Sequence, residues 1–221
     1  MYRTCDLLDL TKTIAAPLFQ GKEYPWEALD GISDFILALG PTLSPDEFDH
    51  PSEGVWVSRQ ARVFPSAWLG GPCIIDHGAE VRHCAFIRGS AIVGKGAVVG
   101  NSVELKNVVL FDGVQTPHYN YVGDSILGYK SHMGAGSITS NVKSDKTLVV
   151  VKNGPEELHT GRKKFGAILG DFVEVGCNSV LNPGTVIGRS STIYPVSSVR
   201  GVVAADSIYK APGTVVKKNP S

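Results

Sequence analysis

Residues 73–111 read CIIDHGAEVRHCAFIRGSAIVGKGAVVGNSVELKNVVLF, and from Ile75 every sixth residue is large and apolar. The row is Ile75, Val81, Ile87, Val93, Val99, Leu105 and Phe111, and it extends backwards through Leu69, Val63 and Val57. Large apolar residues are about a third of ordinary sequence, so ten in succession arise by chance about once in 10⁵. A second row, four places later in each hexad, holds small or β-branched residues: Ala61, Ala67, Cys73, Ala79, Ala85, Ala91, Ala97, Val103 and Val109. The beat returns at Leu169, Val175, Leu181, Ile187, Ile193 and Val199, with Val173, Ser179, Thr185, Ser191, Ser197 and Val203 beside it.

Neither a helix, with its period of 3.6, nor an alternating strand repeats every six residues. A parallel β-helix does, because each hexad supplies one short strand and one corner. Three faces close a coil of about eighteen residues, and residue n then stacks on residue n+18 at about 4.8 Å. The pattern resembles the hexapeptide-repeat family over roughly residues 55–205. That resemblance implies a left-handed parallel β-helix, an all-β fold; the periodicity alone does not set the hand. Residues 1–54 lack the beat and read as a helical N-terminal cap. Within it, Pro25 to Leu39 reads as one amphipathic helix, with Trp26, Leu29, Ile32, Phe35, Ile36 and Leu39 on one side and Gly40-Pro41 as its stop. Leu7, Leu8, Leu10 and Ile14 are expected to pack beside it, the whole covering the open end of the solenoid. Residues 206–221 read as a C-terminal tail.

Composition removes several classes. The chain of 221 residues has 21 Lys plus Arg and 21 Asp plus Glu, a net charge of zero, so no sequence-independent nucleic-acid partner is expected. No run approaches eighteen apolar residues, and Met1 to Asp6 lacks the apolar core of a signal peptide, so no membrane is expected. Cys5, Cys73, Cys84 and Cys177 form no CxxC pair, which points to reduced thiols and a cytoplasmic protein.

Function is expected where the beat breaks. Phe111 and Leu127 are sixteen apart, and the break holds Thr116-Pro117-His118-Tyr119-Asn120-Tyr121. A polar excursion over 142–165 reads as a strand pair ending in a loop, and includes Arg162-Lys163-Lys164. Arg88 and Lys106 each follow a corner aliphatic and lie eighteen apart, so they are expected to stack. Two such cations repel unless an anion lies beside them, either a carboxylate such as Glu104 or a bound phosphate. His118 is expected close to that corner on the next coil, where an imidazole can take a proton from an incoming nucleophile and Glu104 can orient it.

Four blocks together carry a more specific resemblance: Arg88, V-E-L-K at 103–106, P-H-Y-N-Y-V-G-D at 117–124 and G-A-G-S-I-T-S-N at 134–141. They resemble the acetyltransferase domain of the bifunctional glucosamine-1-phosphate acetyltransferase / N-acetylglucosamine-1-phosphate uridylyltransferase family. Archaeal-type sugar-phosphate nucleotidylyltransferases and UDP-N-acetylglucosamine pyrophosphorylase-related proteins are similar in the same region. The resemblance implies transfer of acetyl from acetyl-CoA to the amine of an amino-sugar 1-phosphate, in nucleotide-sugar biosynthesis, with no metal required. It implies His118 as general base beside Glu104, and Arg88 and Lys106 on the sugar phosphate. Tyr121 and Asn141 would contact the sugar, and Lys146 or Lys143 the phosphate from the loop beyond. Ala135 would face the thioester, with Cys177 (in place of a Ser) and Lys210, or Lys217 or Lys218, on the CoA side. It also implies a homotrimer with sites between subunits. A nucleotidylyltransferase half is not expected, since nothing here reads as a Gly-rich nucleotide loop.

Two other readings stand beside this one. A γ-carbonic-anhydrase-like metalloenzyme needs three converging histidines, and His77, His83, His118 and His132 are not spaced to stack. A non-catalytic sugar-phosphate-binding or assembly module would keep the cation pair without turnover.

Overall fold

The computed structural model describes residues 1–211 and 214–217. Short strands pair in parallel at the expected interval: Val55 with Cys73, Cys73 with Ala91, Arg62 with Glu80, Val81 with Val99, Phe86 with Glu104. The chain is a β-solenoid, its backbone hydrogen bonds running from coil to coil. Both predicted rows line the interior. Ile75, Val81, Ile87, Val93, Val99 and Leu105 are fully buried, and so are Cys73, Ala79, Ala91, Ala97 and Val103 between them. Each inward aliphatic contributes about 1.5–3 kcal/mol of burial, and burial pushes the Cys73 thiol up to about 12.

The corners show where the repeat changes. Each is turned by a residue with positive φ, and from Gly78 these come six apart at Cys84, Ser90, Gly96 and Ser102. The next is Asn107, after five; Gly113 and Tyr119 follow at six, and Asp124 again after five. Two corners have each lost a residue. The register accordingly drops to seventeen, with Ala91 opposite Val108 and Glu104 opposite Tyr121. This corrects the hexad row at its end. Leu110, not Phe111, pairs with Val93 and continues the interior. Phe111 instead meets Phe19 edge-on, ring centroids 5.8 Å apart.

The excursion contains an antiparallel pair, Val150–Asn153 with Glu156–His159. Beyond it the coils resume, Ile126 pairing with Ile168 and His132 with Glu174. Ser207–Ala211 pairs in parallel with Thr192–Ile193 and antiparallel with Thr214–Lys217. No helix among the described residues is long and apolar enough to cross a membrane.

The N-terminal segment differs from expectation in two ways. The predicted single helix is a 3₁₀ stretch, Pro25–Gly31, leading into an α-helix, Ile32–Leu39. Gly31 at the joint is a poor helix former, and Leu18 stands 3.1 Å from where a Cβ would project. The segment also lies along the flank of the solenoid, against Cys73–Ile75, Ala91–Val93, Glu104–Leu110 and Tyr121–Leu127, instead of across its open end. Backbone and carboxylate bonds stretch it there. The Lys12 carbonyl accepts from Asp112 N–H, and the Leu7 carbonyl from Asp171 N–H and Arg189 Nε. The buried Asp171 carboxylate accepts from the Asp9 and Tyr129 amides at 2.8 Å each, and pairs with Arg189. The first coil is edged instead by strand Phe48–Ser52, antiparallel to Val55–Ser58.

Candidate functional site

The two shortened corners bring one carboxylate under a set of donors. Asp124, 3% exposed, accepts from Lys106 Nζ at 2.8 and 3.1 Å, from Asn107 Nδ2 at 3.0 Å and from Asn141 Nδ2 at 2.5 Å. Asn141 Nδ2 also lies 3.3 Å from the Tyr121 hydroxyl. Tyr121 stacks on Glu104, and burial, then the charges of Asp124 and Glu104, raise its pKa. Gly123 is required between these groups: a Cβ there would sit 2.5 Å from the Tyr121 hydroxyl and 3.0 Å from Asn141 Nδ2.

Arg88 and Lys106 do follow stacked residues, Ile87 and Leu105. Each cation carries its own anion. Arg88 donates to Glu104 at 2.9 Å, a bond that raises the guanidinium pKa, and Lys106 rests on Asp124. Asp124 lies within the stretch 117–124, and no role was expected of it. The signal that finds it is the five-residue interval after Tyr119, with an Asp turning the corner at φ 48°; Asp tolerates that conformation better than most residues.

His118 ends the strand Gln115–His118, opposite Asn101, with an exposed side chain. Its carbonyl accepts from Gly136 N–H, and the Ala135 carbonyl accepts from Asn178 N–H. His118, Ala135 and Cys177 thus follow one another up one edge of the solenoid. The buried Asn120 fixes the turn: its Oδ1 accepts from His118 N–H at 3.2 Å, and its Nδ2 donates to the Gly134 and Ser137 carbonyls at 2.9 and 3.0 Å. Ala135 N–H has no hydrogen-bond partner among the described residues.

This edge comes before the strand that carries Tyr121 to Gly123, and the Lys106 edge comes after it. His118 and Lys106 therefore flank one face, and do not share a corner as expected. Glu104 is engaged with Arg88, and no bond joins it to His118 among the described residues. Lys146 is exposed in the loop after Asn141, its N–H bonded to the Lys143 carbonyl. Lys210 is exposed on Ser207–Ala211 and Lys217 on Thr214–Lys217; among the described residues neither Lys146 nor Lys210 bonds to the two groups above. Lys218 lies outside the described residues. His77 bonds Asp76, His83 bonds Ser66 and His132 bonds Glu174, and among the described residues no three His, Cys, Asp or Glu could hold a metal ion.

A cleft of about 400 Å³ opens at the Lys106 edge, lined by Lys106, Asn107 and Asp124, by Leu29 and Asp30, and by Gly161 to Lys164.

Comparison with known proteins places the chain among relatives. The family described as GMPPB C-terminal domain matches residues 69–189. A "Bifunctional sugar-1-phosphate nucleotidylyltransferase/acetyltransferase" of Sulfurisphaera tokodaii is 36% identical over 109 residues, covering 49% of this chain and 27% of the relative. A "Bifunctional protein GlmU" of Methanococcus vannielii is 30% identical over 197 residues, covering 88% of this chain and 47% of the relative. The chain thus spans from about a quarter to about half the length of these curated relatives. Among solved structures, a hexapeptide transferase family protein from Anaplasma phagocytophilum is 15% identical, covers 76% of this chain and 82% of its own, and aligns with a TM-score of 0.42.

Proposed function

Because this chain belongs to the family of the GMPPB C-terminal domain, with the shortened coils inside the matched region, we propose that it is a CoA-dependent N-acetyltransferase acting on an amino-sugar 1-phosphate of the glucosamine or galactosamine type. The observation that carries the reading is the Asp124 group. A buried carboxylate holds the Lys106 ammonium, Asn107 and Asn141 in place beside Tyr121, where the regular repeat gives way. Such fixed donors recognise a sugar and its phosphate without reorganising on binding. Lys106 uses two contacts on Asp124 and has donor capacity to spare.

The acceptor then lies across the face between the two edges, a strand of three residues spanning roughly 7 Å. Its phosphate is at Arg88 and Lys106, with Lys146 closing from the loop, and its amine points to His118. His118 takes a proton from the ammonium, and the freed amine attacks the thioester carbonyl of acetyl-CoA. The oxyanion is met by the Ala135 N–H, which has no hydrogen-bond partner among the described residues. Collapse breaks the C–S bond, the CoA thiolate leaves with the proton held by His118, and the surplus proton on the attacking nitrogen passes to water as the amide forms. The donor runs along the His118–Ala135–Cys177 edge towards Lys210. The working unit is a homotrimer in the cytoplasm, with each site completed by a neighbouring subunit.

Thiol release from acetyl-CoA with glucosamine 1-phosphate and with galactosamine 1-phosphate, compared between wild type and His118→Ala, tests this. Turnover that falls by about 10²-fold or more in the variant is expected. Undiminished turnover removes His118 as the base, and no turnover with either hexosamine phosphate favours a binding module.

A further inference from the structure

The N-terminal segment also reaches the acceptor cleft. That cleft is assembled from three stretches far apart in sequence: Leu29 and Asp30, the shortened corners at Lys106, Asn107 and Asp124, and the end of the excursion at Gly161 to Lys164. Four cations face two carboxylates. Asp124 is matched by Lys106 and Asp30 by Arg162, whereas Lys163 and Lys164 have no ion-pair or hydrogen-bond partner among the described residues. The two unmatched charges suit the dianion of a phosphate monoester.

Asp30 grips Arg162 with both oxygens, at 2.6 and 2.5 Å, in the fork geometry a guanidinium prefers. The Arg162 side chain is 11% exposed, and its Nε is buried without a partner. The Arg162 backbone is tied to Val149, but no residue other than Asp30 bonds its side chain among the described residues. The same segment braces the next turn, with Tyr24 stacked on Trp26 at 4.7 Å and Trp26 against Phe165 at 5.6 Å.

We infer that Asp30 is a positioning residue of the acceptor cleft: by holding Arg162 it sets the run 162–164 across from Lys106, where the run and the corner together take a phosphate monoester. This rests on the reading that the Lys106 edge receives the acceptor's phosphate.

The test is steady-state kinetics of the full chain carrying Asp30→Asn or Asp30→Glu. Asp30→Asn is expected to raise KM for glucosamine 1-phosphate about five- to tenfold, with kcat and the KM for acetyl-CoA within about twofold, and Asp30→Glu to recover most of the loss. An unchanged acceptor KM overturns the inference. So does a fall in kcat that follows the melting temperature, the signature of a merely structural residue. If the wild type shows no turnover, the functional reading fails, and calorimetric titration with inorganic phosphate decides this one separately. Binding weakened by Asp30→Asn sustains it; equal binding, or none in the wild type, overturns it.

Discussion

At the scale of single residues, the site depends on Asp124 being buried and still satisfied. An ionised carboxylate shut away from water is costly unless it is paired and hydrogen-bonded, and Lys106, Asn107 and Asn141 meet that requirement together. Gly123 makes room for the arrangement. Gly123→Ala places a methyl group 2.5 Å from the Tyr121 hydroxyl, so both Tyr121 and Asn141 must shift. Acetyl transfer to glucosamine 1-phosphate is expected to fall about tenfold or more, a loss of about 1.4 kcal/mol in transition-state binding, while the far-UV circular dichroism stays that of the wild type. Unchanged kinetics would show that the two side chains do not touch the acceptor. Arg88 and Lys106 were legible in the sequence because hexad counting puts them one coil apart. Asp124 and Asn120 were not, because their roles appear only once the corner spacing is known, and a single Asp or Asn turning a corner looks like any other.

At the scale of elements, the decisive feature is the pair of five-residue corners, at Asn107 and at Asp124. The interior row of large apolar residues was plain in the sequence, since burial at a fixed period leaves little choice of side chain. The row misled only at Phe111, which is apolar for a different reason: it packs on Phe19 from outside the coil. The 3₁₀ stretch at Pro25–Gly31 reads as α-helix in the sequence because apolar spacing alone separates the two poorly; a Cβ at Gly31 would crowd Leu18, and Trp26 within the stretch packs on Phe165. Inserting one glycine between Asn107 and Val108 restores the ordinary corner length. Surface corners tolerate added residues, so the solenoid is expected to fold and melt cooperatively. The Lys106 ammonium is displaced from Asp124, and turnover is expected to drop about 10²-fold, since misplacement of about 1 Å can cost that much. A variant that keeps full activity would separate the shortened corners from function.

At the scale of the whole molecule, the N-terminal segment is bound lengthwise, from Arg189 and Asp171 at one end to the strand Val55–Ser58 at the other. Its apolar residues were readable as a packing surface. Its route was not, because that route is set by backbone carbonyls at Leu7 and Lys12 and by the single carboxylate of Asp171, none of which leaves a periodic trace. The segment, the excursion and the shortened coils converge on one cationic cleft, and the account stands or falls on that cleft being where the acceptor's phosphate binds. The most direct measurement is calorimetric titration of glucosamine 1-phosphate into wild type, Lys106→Met and His118→Ala. The account predicts affinity weakened about tenfold or more by Lys106→Met, as expected when a charge-assisted contact to phosphate is removed, and left within about threefold by His118→Ala. Equal binding by wild type and Lys106→Met would contradict it.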